Sequence, residues 1–438
     1  MKTKPIIFLL ISLLSLTYST AQEKKTMSLK DAVALVITNS SEAVLANTKV
    51  ATSKLEVETM KNNQYPNVKL SGQYMRLTNA NIVSHLGGSG AGGPTPTVNQ
   101  LMLGQASVAM PLFSGFKLKN SIDASENLYK AQSFSASHTK EELALEVTEL
   151  FANLYKSQEM VKLFEENLKS AQQRTKDFSG MVDNGLMARN DLLKAQLQES
   201  NIQLSLDSAV KNVNVINYQL VILLHLPENT VIDIDINTIK SDMAKNQSLT
   251  LSGERNDLTA LTFQQKASEA GIKIAKAGYY PSLALTGGYI ALDLKNTLTV
   301  TNAMNFGIGF NYDLASIFKN GKEVNLAKSK AEQTKQSIAI LSDKIKEAIQ
   351  QAQENYTLSL KQNKVYTLAV EQADENFRIV KDKYDNSLSS TNDLLEADVQ
   401  QLQSKINLAL SQADIALKYY QLQFAAGKLI NSFNLSTK

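Results

Sequence analysis

The chain contains one sequence pattern twice, and this duplication restricts its possible folds more than any other feature. The segments 183–186 and 190–193 recur as 385–388 and 392–395, an offset of 202 positions. Nine of the sixteen residues from 183 to 198 are identical at that offset, where chance would supply about one. A match of this density indicates two internal structural repeats.

A second offset relates the upstream parts of the two copies. Tyr65-Pro66 and Tyr74 align with Tyr280-Pro281 and Tyr289 at an offset of 215. The first copy therefore holds 13 more residues, which we assign to a surface loop around the glycine-rich stretch 87–94. This stretch lacks the Gly-Lys-Ser/Thr ending of a phosphate-binding loop, so it predicts no nucleotide site.

The amino-terminal residues have the order of a secretory signal peptide. Lys2 and Lys4 precede an apolar run that ends at Leu16, and small residues follow up to Ala21. We therefore expect residues 1–21 to be removed during export. No later segment has 18 consecutive apolar residues, so any membrane crossing by the mature chain has to use strands.

Proline placement permits very long helices, because no proline lies between Pro111 and Pro227 or after Pro281. The predicted layout is a first repeat (22–226), an equatorial linker (227–253), a second repeat (254–430) and a tail (431–438). The first repeat is expected to contain a helix, strands at about 67–83 and 98–112, a long helix at 115–182 and a helix at 188–225. The second repeat is expected to contain a helix at 254–279, strands at about 282–297 and 302–315, a long helix at 317–384 and a helix at 390–428.

Apolar residues along both long helices follow the 4-3 spacing of a coiled coil. In the first repeat they begin with Leu143, Val147, Leu150 and Leu154. In the second repeat the seam is more polar and includes Ile345, Ile349, Tyr356, Ser359, Asn363 and Tyr366. The pattern predicts helices that supercoil around one another.

The predicted strands alternate between large apolar and small or polar residues. In 305–314, Phe306, Phe310 and Tyr312 fall on one face, and Tyr74 and Tyr289 hold similar positions in two other strands. We predict that these five side chains face lipid in a membrane barrel. A soluble antiparallel sheet with one buried face is the alternative for each strand taken singly.

Four strands are too few to close a membrane barrel, since the smallest have about eight. An open sheet edge in hydrocarbon leaves backbone groups unpaired, so several copies have to share one wall. Two copies supply eight strands and three supply twelve, and strand number alone does not decide between them.

The duplicated unit resembles the TolC-like outer-membrane efflux protein family over about residues 27–430. The Tyr-Pro pairs before the strands, Pro111–Gly115 after them, and the two Asn-Asp-Leu-Leu turns carry the resemblance. It implies a mainly α fold with a small membrane β part. Three protomers would form a 12-stranded β-barrel continuous with a 12-helix α-barrel, located in the outer membrane of a Gram-negative cell and extending into the periplasm.

The resemblance also implies partners and a gate. The partners would be a periplasmic adaptor and an inner-membrane pump of the RND or ABC type, with drug efflux and type I protein secretion both open. Asp393 and Glu396 match acidic residues at the closed tip, and Asp191 and Tyr384 match a lock between helices. The basic residue of that lock falls at Ser389. Our hypothesis pairs Lys194 with Glu396, whereas helix capping is the alternative role for Asp191 and Asp393.

Other functional classes find little support in the sequence. Without residues 1–21 the chain has 43 basic and 42 acidic residues, which is not the basic balance of a nucleic-acid-binding protein. We recognise no catalytic motif, metal-ligand spacing or cofactor site. A periplasmic or surface coiled-coil scaffold for structure or adhesion remains the competing prediction.

Overall fold

The computed structural model describes residues 23–81, 97–234, 255–295 and 297–435. The predicted signal peptide (1–21) and the glycine-rich loop (87–94) lie outside these ranges. So do the part of the predicted linker from residue 235 to 253 and the end of the tail from 436. Within the described ranges, no helix combines the length and the hydropathy needed to cross a membrane.

The described part of the chain is mainly helical, as predicted. The elements in chain order are β1 (Glu23–Thr26), α1 (Leu29–Asn39), α2 (Ser41–Asn62), β2 (Asn67–Asn81), β3 (Thr97–Ser114), α3 (Lys117–Asp183), α4 (Arg189–Leu223), β4 (Thr230–Asp233), α5 (Asn256–Lys276), β5 (Ser282–Leu294), β6 (Leu298–Asn311), α6 (Ser316–Asp385), α7 (Thr391–Ala425) and α8 (Leu429–Ser432). The two long helices, α3 and α6, have 67 and 70 residues.

One compact unit of the chain contains Lys49–Phe134 and Thr259–Ile340. Its centre is a four-stranded sheet with the strand order β2-β3-β5-β6, and all three pairings are antiparallel. β3 of the first repeat pairs with β5 of the second, so both repeats contribute to one continuous sheet. Pro111, which has no N–H to donate, lies at a register shift of β3.

The other compact unit contains Met1–Thr48, Ser135–Leu258 and Leu341–Lys438. Its main core contains residues from helices of both repeats. Leu429, Ile430 and Phe433, which follow α7, are buried in the same core. The described residues of this unit include a two-stranded parallel sheet of β1 and β4. Asn217 holds β4 in place, because its side chain bonds the N–H of Ile232 at 2.8 Å and the carbonyl oxygen of Thr230 at 2.9 Å.

The coiled-coil seams of the two repeats differ in burial. In the first repeat Leu143, Val147 and Leu154 are buried within one protomer. In the second repeat Ser359 is buried, but Ile345 and Tyr366 remain only half-buried. The second seam therefore retains apolar surface that a single chain does not cover.

Three local features differ from the sequence prediction. β6 covers Leu298–Asn311 rather than 302–315, because the Asp313 carboxylate accepts from the N–H of Ala315 at 2.9 Å and turns the chain into α6. The single helix expected before β2 is divided at Ser40, whose backbone is extended. Strand β1 was not predicted, since four residues carry too little periodicity to identify a strand.

Candidate functional site

The helical hairpins of both repeats end in turns of the same geometry. After α3, Gly185 has a φ of 70°, and the N–H of Leu186 bonds the carbonyl oxygen of Met181 at 2.8 Å. After α6, Ser387 takes the same left-handed conformation with a φ of 61°, and the N–H of Leu388 bonds Lys383 at 2.7 Å. Both turns follow the Schellman pattern that ends a helix and reverses the chain. Of the predicted gate residues, Asp191, Lys194, Asp393 and Glu396 lie after the turns, whereas Tyr384 lies near the end of α6, before the second turn.

Asp393 caps the amino end of α7. The N–H of Asp393 donates to Oγ of Ser390 at 3.2 Å, and its Oδ2 accepts from the Ser390 N–H at 2.9 Å. The Ser390 N–H, followed by the hydroxyls of Ser390 and Ser389, holds the pKa of the Asp393 carboxyl below its usual range. Ser389, which the resemblance aligns with the basic residue of the lock, donates a hydrogen bond to Oδ2 of Asp393 at 3.0 Å.

Asp191 occupies the equivalent position in α4 but makes a different contact. The N-cap residue Ala188 offers no side-chain hydrogen bond, and Asp191 Oδ1 lies 3.3 Å from the ammonium group of Lys194. Glu396 accepts a hydrogen bond from Gln400 at 3.3 Å. Within one protomer Lys194 therefore lies against Asp191, and the proposed pair between Lys194 and Glu396 stays a prediction.

Lys194 and Glu396 line one open groove beside α4 and α7. The groove has a volume of about 850 Å³, and amide and hydroxyl side chains alternate with apolar ones along it. Gln198, Asn201 and Leu197 contribute from α4. The arrangement exposes one cation and one carboxylate on the same surface, where they can influence charged solutes.

Tyr384 packs into a small apolar cluster near the turns. Its ring centroid lies 6.0 Å from that of Phe178, and the cluster also contains Ala195 and Leu394. Among the described residues, Tyr384 and Asp191 form no hydrogen bond to each other within one chain. Tyr384 therefore joins the two repeats by apolar packing, and the lock role of Tyr384 and Asp191 stays a prediction.

The structure adds a polar link that the sequence analysis missed. Arg174 of α3 and Gln198 of α4 both donate to Oδ2 of Asp398 in α7, at 3.0 and 2.9 Å. Asp398 is 3% exposed. It follows Leu394 by four positions in the buried stripe of α7, and a charged residue in such a stripe was the available signal.

The four-stranded sheet places most of the predicted lipid-facing residues on one face. The strand register aligns Val68, Val108, Gly287 and Phe306 in one row across the sheet. The next row consists of Leu70, Ala106, Tyr289 and Met304. Four of the five predicted residues share this face: Tyr74, Tyr289, Phe306 and Phe310.

The apolar face of the sheet is open in the protomer. Phe306 is 95% exposed, Leu70 is 87% exposed and Met304 is 80% exposed. The opposite face carries Ser71, Ser107, Thr286 and Asn305 at alternating positions. A contiguous apolar face of this kind marks a surface that contacts lipid or another protein. Tyr312 lies beyond the end of β6, and its hydroxyl donates to the Tyr279 carbonyl oxygen at 3.5 Å.

Comparison with known proteins places the chain in a family of outer-membrane proteins. The family described as outer membrane efflux protein matches residues 42–221 and 250–428. The outer membrane efflux protein BepC of Brucella suis biovar 1 (strain 1330) is 21% identical over 350 residues, which are 77% of this chain and 75% of BepC.

Two solved structures of outer-membrane proteins have the same fold as the chain. The Campylobacter jejuni CmeC outer membrane channel superposes with a TM-score of 0.76 at 18% identity, over 92% of this chain and 86% of CmeC. The outer membrane protein VceC of Vibrio cholerae gives a TM-score of 0.75 at 14% identity, over 91% of this chain and 96% of VceC. The chain belongs to the outer membrane efflux protein family.

Proposed function

We propose that three copies of this chain form a passive export duct in a tripartite system. The 12 strands would close a barrel in the outer membrane, and the 12 helical columns would continue it through the periplasm. An inner-membrane pump of the RND or ABC type would supply the energy, and a periplasmic adaptor would connect it to the duct. Small toxic compounds or proteins would be the cargo. The related proteins are channels rather than enzymes.

One observation carries this proposal: the sheet is apolar on one face and open at both edges. β2 and β6 have 15 and 14 residues, and in the described part of the chain each pairs on one side only. Long free edges with unpaired backbone groups are a template for further strand pairing. In hydrocarbon such edges have to be closed, because each unpaired group costs several kcal/mol. Pairing β6 of one copy with β2 of the next satisfies both requirements.

The helices support the same assembly. The half-buried seam of α6 retains apolar surface, and packing against a neighbouring copy would cover it. The alternative, a coiled-coil scaffold for structure or adhesion, does not explain why Phe306, Ile308 and Phe310 are exposed. We therefore favour the channel.

The proposed gate is the set of residues beside the hairpin turns. Asp393 and Glu396, repeated by threefold symmetry, would give two rings of carboxylates and a throat that favours cations. Asp191, Tyr384 and Lys194 would contact neighbouring helices in the closed assembly. The low pKa of Asp393 supports a carboxylate that is charged at neutral pH.

Cysteine crosslinking tests the strand closure directly, because the natural chain has no cysteine. Ser71→Cys in β2 is combined with a cysteine at one of the β6 positions 303, 305, 307 or 309. We expect at least one combination to give covalent dimers and trimers in outer-membrane extracts. The control combines Ser71→Cys with Gln105→Cys, which are direct partners in one sheet and should crosslink only within a chain.

Two further measurements complete the test. The purified protein should be a trimer in detergent, and it should conduct ions in planar bilayers. A monomer that stays in solution without detergent and forms no intermolecular crosslink at any register would exclude the channel and favour the scaffold.

A further inference from the structure

Each of the four junctions between a strand and a helix carries an aromatic residue and a lysine. Lys61 precedes Tyr65-Pro66 at the start of β2, and Lys276 precedes Tyr280-Pro281 at the start of β5. After β3 the chain continues with Phe116-Lys117, and after β6 it continues to Phe318-Lys319. Both repeats therefore hold the same pair of residue types at strand entry and strand exit.

The strand register brings these four junctions to one end of the sheet. Ser114 at the end of β3 pairs with Ser282 at the start of β5, which pairs with Asn311 at the end of β6. Asn67 at the start of β2 pairs with Ala109, five residues before the end of β3. The aromatic and lysine residues thus follow one edge of the apolar face.

The aromatic side chains at this edge are exposed. Phe318 is 87% exposed, Tyr65 is 69% exposed, Phe116 is 60% exposed and Tyr280 is 54% exposed. Exposed aromatic residues that border an apolar band are typical of the boundary between a membrane and water. This edge of the sheet therefore has the composition expected at the level of lipid headgroups.

The helices that leave this edge are strongly basic. The helical residues of this unit, 49–62, 117–134, 259–276 and 316–340, contain fourteen lysines and seven acidic residues. Their excess of seven positive charges exceeds the net charge of +3 for the whole chain, so the remainder is acidic overall. All fourteen lysines are exposed. The positive charge is thus concentrated on the helices nearest the apolar sheet.

Six of these lysines lie close to the strand ends, and we name them the junction belt: Lys117, Lys119, Lys273, Lys276, Lys319 and Lys322. Lys61 lies at the same level but is held by Glu126 at 2.7 Å. Among the described residues, no belt lysine has a carboxylate oxygen within 4.0 Å. Their ammonium groups are therefore available to an external anion.

We propose that the junction belt binds the headgroup phosphates of anionic phospholipids in the periplasmic leaflet of the outer membrane. This inference rests on the proposed barrel, because the barrel places the apolar face in lipid. A lysine near an anionic membrane surface contributes about 1 kcal/mol, and the attraction decays within a Debye length of about 8 Å. Five of the six belt lysines, all except Lys273, lie within four residues of an exposed aromatic residue of this edge. Four residues correspond to about 6 Å of helical rise, so these lysines meet the distance limit. Lysines further along α6 do not.

The test compares two variants that lose the same charge. The belt variant is K117Q/K119Q/K319Q/K322Q, and the control variant is K328Q/K330Q/K344Q/K364Q, whose lysines lie further along α6 and are also exposed. Each trimer is purified in mixed micelles of phosphatidylglycerol and phosphatidylcholine, and the retained lipids are counted by native mass spectrometry. Thermal midpoints are measured in vesicles of either lipid at low and high salt.

We expect the wild-type protein and the control variant to retain phosphatidylglycerol preferentially and to melt at a higher temperature in it. The belt variant should lose this preference, by about fivefold in binding constant per lysine removed at low salt. An unchanged preference in the belt variant overturns the proposal. Equal stabilisation of the wild-type protein by inorganic phosphate in phosphatidylcholine also overturns it, because that result indicates a free-anion site.

Binding to isolated peptidoglycan is measured for the same proteins. If only the belt variant loses this binding while its lipid preference is unchanged, the proposal is overturned, and the partner of the belt is a cell-wall polymer. Failure of the belt is distinguishable from failure of the channel. Ion conductance and trimer formation in neutral phosphatidylcholine do not require the belt, so both should persist in the belt variant. Their absence in the wild-type protein would refute the channel itself.

Discussion

Arg174 and Asp398 form a buried ion pair between the two repeats, with Nη1 of Arg174 3.0 Å from Oδ2 of Asp398. The two side chains are 13% and 4% exposed. Other ion pairs near the hairpin turns, such as those of Arg378 with Glu375 and Asp382, are exposed and join residues of one helix. The Arg174–Asp398 pair therefore fixes the position of α7 relative to α3.

Replacing one partner of this pair should destabilise the helical hairpins strongly. Asp398→Asn leaves the guanidinium group of Arg174 buried without its counter-charge, which typically costs about 3–5 kcal/mol. The double variant R174M/D398L removes both charges and should lose less than either single variant. The melting of helical circular dichroism in detergent measures the difference.

The control for the ion pair is Asp374→Asn. Asp374 accepts from Gln401 and lies 3.4 Å from Lys405, but the side chains of the ion pair are 46% and 40% exposed. Exposed pairs contribute about 0–1 kcal/mol, so this variant should melt close to the wild-type protein. If Asp374→Asn and Asp398→Asn have the same melting temperature, burial of the Arg174–Asp398 pair does not increase its contribution to stability.

The buried carboxyl of Glu141 makes stability depend on pH. Glu141 is 4% exposed and accepts from the N–H of Ile430 at 3.2 Å. Burial raises the pKa of the Glu141 carboxyl from 4.5 to about 7, although the hydrogen bonds from Ile430 and Leu429 oppose the shift. Because the folded protein favours the neutral acid, this contribution is complete below pH 4.5 and is lost as the pH rises through about 7.

Glu141→Gln should remove this contribution to the pH dependence. The amide oxygen of glutamine can still accept from Ile430 but does not ionise. The variant should melt higher than the wild-type protein at pH 8, by a free-energy difference of about 3 kcal/mol, and similarly at pH 4. Glu165→Gln, an exposed residue on the same helix, is the matched control and should leave the pH profile unchanged. If stability depends on pH in the same way in all three proteins, Glu141 is not the source of the pH dependence.

The sequence predicted the repeats more readily than the contacts between them. A seam such as Leu143, Val147 and Leu154 identifies a buried helix face because its period is local. The position of Asp398 against Arg174 depends on how distant helices pack, and no local period records it. The sequence therefore indicated which faces are buried but not which polar groups meet there.

The sequence also predicted positions better than contacts at the proposed gate. Duplication related Asp191 to Asp393, yet Asp393 caps a helix while Asp191 lies beside Lys194. The difference arises because Ser390 provides a capping hydroxyl, whereas Ala188 in the other repeat provides none. Matching positions in two copies thus predicted the turn but not the hydrogen bonds of its acidic residue.

Ser387 has a left-handed backbone conformation, which Gly185 has at the equivalent turn of the first repeat. Its φ is 61°, and the left-handed region costs about 1–2 kcal/mol for a residue other than glycine. Ser387→Gly should therefore stabilise the hairpin by about 1 kcal/mol, measured as a higher melting temperature. The reciprocal variant Gly185→Ser should destabilise the other hairpin. A lower melting temperature for Ser387→Gly would show that the serine side chain contributes more than its strain costs.

Glu396 provides the cleanest test of the proposed gate, because neutralising it leaves the helix cap of Asp393 intact. Glu396→Gln can keep its contact with Gln400, while each proposed trimer would lose three negative charges. A unit charge about 8 Å from a permeating ion contributes about 0.5 kcal/mol in water, so cation preference at low salt should fall by about twofold per charge removed. Reversal potentials in planar bilayers under a salt gradient measure this preference.

Lys194→Gln should change the cation preference in the opposite direction, because it removes positive charge from the same groove. Glu371→Gln, an exposed acidic residue of α6, provides the charge-matched control. Equal shifts for Glu371→Gln and Glu396→Gln would show that Glu396 has no special place in the ion path.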